Sequence, residues 1–180
     1  GISYSVPVES IIDPFGIVIP NTIFGYDIGY YLPEIIEPGK AYWLRSSGEG
    51  EIVFSASTRA TTKIVVIQEP EYANILKFGK QTLYFGNKIE EENLLSFSLP
   101  PKPPVGARDI RFSGDTKICP TDECVIEVMN DGQPLGFECE IKDEESWELV
   151  NESGNVFKCS SSLVLVLNGA LEKLVLRKSE

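Results

Sequence analysis

Apolar and polar residues alternate in short runs along most of the chain. Alternation with a period of two marks a half-buried strand, because successive side chains of an extended backbone point to opposite faces. "ISYSVPV", "RDIRFSG", "LLSFSL", "GFECEIK", "WELV", "VFKC" and "EKLVLRK" read this way, with Ile110 and Phe112 on one face of their run. "TTKIVVIQ" and "SSLVLVLN" are more continuously apolar and β-branched, as buried strands are. "QTLYFG" is bounded by Gly79 and Gly86, and "CVIEVMN" runs into Asn130-Asp131-Gly132, a turn signal. "KAYWLRS" and "EIVFSAS" flank Gly48-Glu49-Gly50, which predicts a hairpin.

Helical period is almost missing. "EYANIL" offers one turn, and Pro14 and Gly16 limit "SIIDPFG" to another. Strands spaced about 8–12 residues apart, with turn residues between them, predict an all-β chain. Two blocks are expected: a small aromatic and glycine-rich β module over residues 1–57, then an immunoglobulin-like antiparallel β-sandwich of roughly eight strands over 58–180. The polar "STRATT" (57–62) reads as the connector. The stiff "PPKPPVGA" segment, residues 100–107, is expected to cross from one sheet to the other, because the strands on either side are too few to fold alone.

Composition narrows the function classes. The chain has 180 residues, 42% of them hydrophobic, enough for a packed core. No apolar run approaches the ~20 residues of a membrane span, so no membrane insertion is expected. The N-terminus shows no leader pattern, so for a secreted protein Gly1 is expected to be a mature or otherwise set start. A formal net charge of −11 argues against nucleic acid and against an anionic membrane surface, both of which need clustered Lys and Arg. The chain has no histidine, which removes Ser-His-Asp and Cys-His nucleophile systems and His-ligated zinc. No enzyme activity, cofactor or metal is expected.

The four cysteines, Cys119, Cys124, Cys139 and Cys159, form an even, clustered set. Their spacing lacks the close C-x2-C pairs of a zinc site, and disulfides in an oxidising compartment are expected instead. Three pairings are open. The favoured one joins Cys119 to Cys124 around "CPTDEC" and Cys139 to Cys159 as a staple between two strands.

Five aromatic residues, Tyr26, Tyr30, Tyr31, Tyr42 and Trp43, gather around the turn at Pro38-Gly39 and are the candidate ligand-binding residues. Sugar rings pack their C–H faces on aromatic faces, and Asp27 and Glu34 are candidate acceptors for hydroxyl groups. The plainer alternative is that the aromatics build the core of a small module. Tyr42 and Trp43 are neighbours in an alternating run, so they point to opposite faces and only one can enter that core. Trp147 is expected between the sheets. The acidic runs "IEEEN" (89–93) and "KDEES" (142–146) read as solvated loops, since glycosidase chemistry needs two carboxylates held in a cleft. "NDGQP" and "SGDTK" carry oxygen donors but no EF-hand spacing, and Asn151-Glu152-Ser153 is a formal sequon on an exposed turn.

One longer pattern goes further. Val6-Pro7-Val8, then Gly29-Tyr30-Tyr31, then Glu37-Pro38-Gly39-Lys40 and Tyr42-Trp43-Leu44 resemble a module of secreted multidomain proteins from the Bacteroidetes–Chlorobi–Ignavibacteria group. That module reads W-N-L-I-S-x-P-V, then G-Y-Y, then L-x-P-G-x-G-Y-W-V-K. Ile2-Ser3-Tyr4 stand in place of its opening Trp-Asn, and Ala41 in place of its second glycine. "QTLYFGNK", "FSLPPKPPVGARDIRFSGD", "WELVNESGN" and "KLVLRK" resemble the β-sandwich that follows it in proteins exported by type IX secretion. The resemblance implies an extracellular or cell-surface accessory region of a larger parent protein. Three roles are then open: a non-catalytic spacer, scaffold or attachment region; a polysaccharide-binding module; or a filament subunit in which "GISYSVPV" completes the sheet of an identical neighbour.

Overall fold

The computed structural model describes residues 1–55, 70, 73–79, 81–86, 88–130, 132–159, 163–165 and 171–179. The expected strand "TTKIVVIQ", the connector 57–62 and the boundary between residues 57 and 58 lie outside them. The chain is all-β and divides into two compact units, Gly1–Gln68 and Glu69–Glu180.

The first unit is built from two-residue ladders. β1 (Val6–Pro7) pairs with β5 (Ile35–Ile36), β2 (Ile11–Ile12) with β6 (Val53–Phe54), and β3 (Gly25–Tyr26) with β4 (Tyr30–Tyr31), all antiparallel. Isolated bridges join Val18 to Ser46 and Phe24 to Trp43. The hairpin expected about Gly48-Glu49-Gly50 is not how these segments pair. Each finds its partner earlier in the chain, because Tyr42, Leu44, Ile52 and Phe54 all pack on the core of Val6, Ile11, Val18, Ile23 and Ile36. "GISYSVPV" is likewise used within its own unit: Val6 is fully buried and Ile2 packs on the same core.

Where a helical turn was expected at "SIIDPFG", a short 3-10 helix (Val8–Ser10) leads into β2 and then into a loop held by Asp13. The Asp13 carboxylate is 4% exposed and accepts N–H bonds from Ile17 at 3.1 Å and Val18 at 2.7 Å. Burial works against its charge. The backbone N–H groups of Val18, Ile17, Phe15 and Gly16 outweigh that and hold the carboxyl below the usual aspartate value.

The second unit is two five-stranded sheets. In chain order its strands are β7 (Asn74–Phe78), β8 (Gln81–Phe85), β9 (Asp109–Phe112), β10 (Ile118–Cys119), β11 (Glu123–Met129), β12 (Leu135–Glu140), β13 (Trp147–Asn151), β14 (Val156–Lys158), β15 (Leu163–Leu165) and β16 (Leu171–Lys178). One sheet has the order β10-β8-β7-β12-β15, the other β14-β13-β16-β11-β9. Only β10 and β8 pair in parallel among these neighbours. β12 pairs with β15 in one sheet while β13 pairs with β16 in the other, a Greek-key exchange of the sandwich type. The core contains Leu76, Phe85, Ile110, Phe112, Phe137, Trp147 and Leu176.

Two expected elements change identity. Of "EYANIL", Glu71 and Tyr72 lie outside the described residues, and Asn74 to Leu76 open β7 and pair with Leu83 to Phe85. "LLSFSL" is not a strand: Glu91–Phe97 forms a 3-10 helix that buries Phe97 against Tyr84, with ring centroids 6.1 Å apart. The proline segment connects β8 in one sheet to β9 in the other. There the Pro100 carbonyl accepts a bond from Arg111 Nη1 at 2.7 Å, and Lys102 pairs with Glu127 on β11.

Candidate functional site

Four aromatic residues share one face of the β3–β4 ladder. Tyr26 stands opposite Tyr30, and Phe24 stands opposite Trp43 through two backbone bonds of 2.8 Å. Directly opposed residues of an antiparallel pair lie on one face, as do residues i and i+2 of a strand. Phe24, Tyr26, Tyr30 and Trp43 therefore lie on the same side. The Tyr26 and Tyr30 rings meet edge to face at 5.2 Å, and Phe24 and Tyr30 at 6.1 Å. Phe24 and Tyr30 are buried, whereas Tyr26 is 41% and Trp43 52% exposed.

The other two candidates sit elsewhere. The Tyr31 ring lies over Gly25: a Cβ on Gly25 would fall 2.6 Å from Tyr31 Cζ, so a side chain there would have to displace the ring. Tyr42 turns inward onto the core, and its hydroxyl accepts the Glu37 N–H at 3.0 Å. The alternation argument thus separates Tyr42 from Trp43, and the five candidates reduce to Tyr26 and Trp43 as exposed platform residues. Of the candidate acceptors, Asp27 follows Tyr26 and closes the turn by exchanging backbone bonds with Gly29. Glu34 lines a separate groove of about 610 Å³.

The cysteines form two disulfides, Cys119–Cys124 and Cys139–Cys159. The first closes the loop between β10 and β11. The second runs from β12 in one sheet to the end of β14 in the other, so it ties the sheets together. Trp147 is 2% exposed, packs in the same core as Cys159, and meets Phe85 at 4.9 Å.

Three polar features were not singled out in the sequence. Asp13 organises the first unit's loop, as described above. Asp143 is not merely a solvated acid: it accepts Asn74 Nδ2 at 2.7 Å and Trp147 Nε1 at 3.2 Å. Arg111 is fully buried and pairs with buried Asp109, while Asp115 adds a bond of 2.9 Å. Burial opposes the guanidinium charge, but Asp109 and Asp115 reverse that and raise its pKa. The i, i+2 spacing of Asp109 and Arg111, out of phase with Ile110 and Phe112, is the signal that would have placed both on the outer face under the proline segment.

A cleft of about 1250 Å³ in the second unit mixes both charge signs. There Lys178 Nζ lies 3.3 Å from Asp122 and 3.5 Å from Glu145, over the Trp147 ring. Among the described residues, no group of three His, Cys, Asp or Glu side chains forms a metal site, and no helix is long and apolar enough to cross a membrane. In the two oxygen-rich segments, Asp115 is engaged by Arg111, and Asp131 lies outside the described residues. No protein-family model matches the chain, and no curated protein or solved structure matches it either.

Proposed function

We propose that this chain is a non-catalytic extracellular β module, a spacer or attachment region of a secreted or surface protein. The Cys139–Cys159 bond between the two sheets carries this reading. Disulfides that hold a core together persist in oxidising compartments and are reduced in the cytosol. The residues with buried charge support the same role: Arg111, Asp109 and Asp13 are engaged in holding loops and strands rather than facing a reaction cleft. Size-exclusion chromatography with light scattering tests it. A spacer elutes as a monomer near 19.9 kDa and is inert toward glycans, while ordered polymers would make assembly the function.

A second reading rests on one observation, the exposure of Trp43 and Tyr26 on a single ladder face. It makes the first unit a carbohydrate-binding module that stacks sugar rings on these two side chains. Retention on insoluble polysaccharide, lost in Trp43→Ala and Tyr26→Ala, supports it. Retention unchanged by both substitutions contradicts it.

A further inference from the structure

The first unit holds a groove that none of the five candidate aromatics lines. Pro7, Val8, Ile19, Ile23, Leu32 and Ile35 supply apolar walls to a volume of about 610 Å³. That is the size of ordinary ligand clefts, which are mostly apolar with a few polar groups that set orientation. Leu32 and Ile35 are 47% and 49% exposed at its lip. Contiguous exposed aliphatics are costly to leave in water and mark docking surfaces.

The walls are preformed. Pro7 pairs with Ile35 across the β1–β5 ladder, and the Val8 N–H bonds to the Glu34 carbonyl at 2.9 Å. On the other side Thr22 Oγ1 donates to the Ile19 carbonyl at 2.6 Å, closing a turn in which Asn21 takes the left-handed conformation with φ 59°. Little ordering is needed on binding, so less of the interaction energy is lost to it.

Charge selects the occupant. Glu9 and Glu34 are exposed on the groove, and no Lys or Arg lines it. Among the described residues neither carboxylate has an ion-pair partner. The chain as a whole carries −11, which steers cations toward it and anions away. We propose that this groove docks an extended segment of a partner protein in which apolar side chains alternate with Lys or Arg. The apolar residues fill the groove and the cations meet Glu9 and Glu34. A peptide provides several cations at regular spacing, which suits two separate carboxylates better than a single-headed amine. This docking concerns the first unit alone and stands apart from the spacer and glycan readings.

The test uses the full chain and three fluorescein-labelled peptides, KIKIKIK, EIEIEIE and KSKSKSK, followed by anisotropy at about 150 mM salt. Saturable binding of KIKIKIK alone is expected. Glu9→Gln with Glu34→Gln should weaken it on the order of tenfold, and Leu32→Asp should abolish it. All three positions are exposed, so unchanged thermal unfolding verifies that the fold persists. Trp43→Ala should leave peptide binding as it was, separating this site from the aromatic platform. No saturable binding of KIKIKIK, equal binding of KSKSKSK, or binding indifferent to the Glu9 and Glu34 substitutions would overturn the proposal.

Discussion

Asn74 and Asp143 lie 69 residues apart and meet through one hydrogen bond of 2.7 Å, from Asn74 Nδ2 to Asp143 Oδ2. Asn74 Oδ1 also accepts the backbone N–H of Lys142 at 2.7 Å, and Asp143 accepts the Trp147 indole. The trio fixes the β12–β13 connection to the start of β7, and so one sheet to the other. Asn74→Ala leaves the Lys142 N–H and part of Asp143 without partners at a half-buried site. It should lower unfolding free energy by about 2–3 kcal/mol, read by urea denaturation from Trp147 fluorescence in a Trp43→Phe background.

Gly86 sits against the same trio. Its φ is +75°, and a Cβ there would fall 2.4 Å from Asn74 Nδ2 and 2.7 Å from Asp143 Oδ2. Gly86→Ala therefore meets strain and a clash together and should cost at least about 1 kcal/mol. Combined with Asn74→Ala it should cost less than the sum, because both act on one contact. Strict additivity in the double-mutant cycle would show that the two positions are not coupled.

The two disulfides should differ in worth. Chain-entropy reasoning gives about 3 kcal/mol for a loop as long as that of Cys139–Cys159 and about 2 kcal/mol for one as short as that of Cys119–Cys124. Their sequence separations are 20 and 5. Paired serine substitutions, compared by denaturation, should show the larger loss when the bond between the sheets is removed.

Arg111 and Asp109 are each 1% exposed at the side chain. Arg111→Ala removes the cation and strands a buried carboxylate, so a loss of about 3–5 kcal/mol is expected. The double substitution of Asp109→Leu with Arg111→Met removes both charges and should recover much of that loss. A double variant as unstable as Arg111→Ala would mean that the pair itself, not the stranded charge, sets the cost.

Asp13 predicts an acid-sensitive first unit. Its folded pKa lies below the unfolded one, so the stability it adds is present above the unfolded value of about 3.9 and is lost as pH falls through the lower folded value. Asp13→Asn should be less stable at neutral pH and should lose this acid-dependent step. The check is amide exchange at Ile17 and Val18, the N–H groups that Asp13 holds.

Much of the sandwich was legible because its strands alternate cleanly. "RDIRFSG" sends Ile110 and Phe112 inward, and "EKLVLRK" does the same with Leu174 and Leu176. "LLSFSL" misleads because Leu94 and Phe97, three residues apart, also share one face of a 3-10 helix, and a six-residue run cannot separate that from a strand. In the first unit the turn residues were visible, but the pairing was not. Two-residue ladders have no pattern long enough to specify register, and the choice of Ile11 as partner for Phe54 follows from shared burial alone. At the candidate site, alternation separated Tyr42 from Trp43. The burial of Tyr30 beneath Tyr26, and the groove bearing Glu9 and Glu34, depend on contacts between segments distant in sequence.

The most direct measurement is a count of free thiols in the chain purified without reductant and unfolded in guanidinium chloride. The expected result is none before reduction and four after it, as two disulfides and four cysteines require. Four thiols before reduction would contradict both the tie between the sheets and the extracellular role built on it.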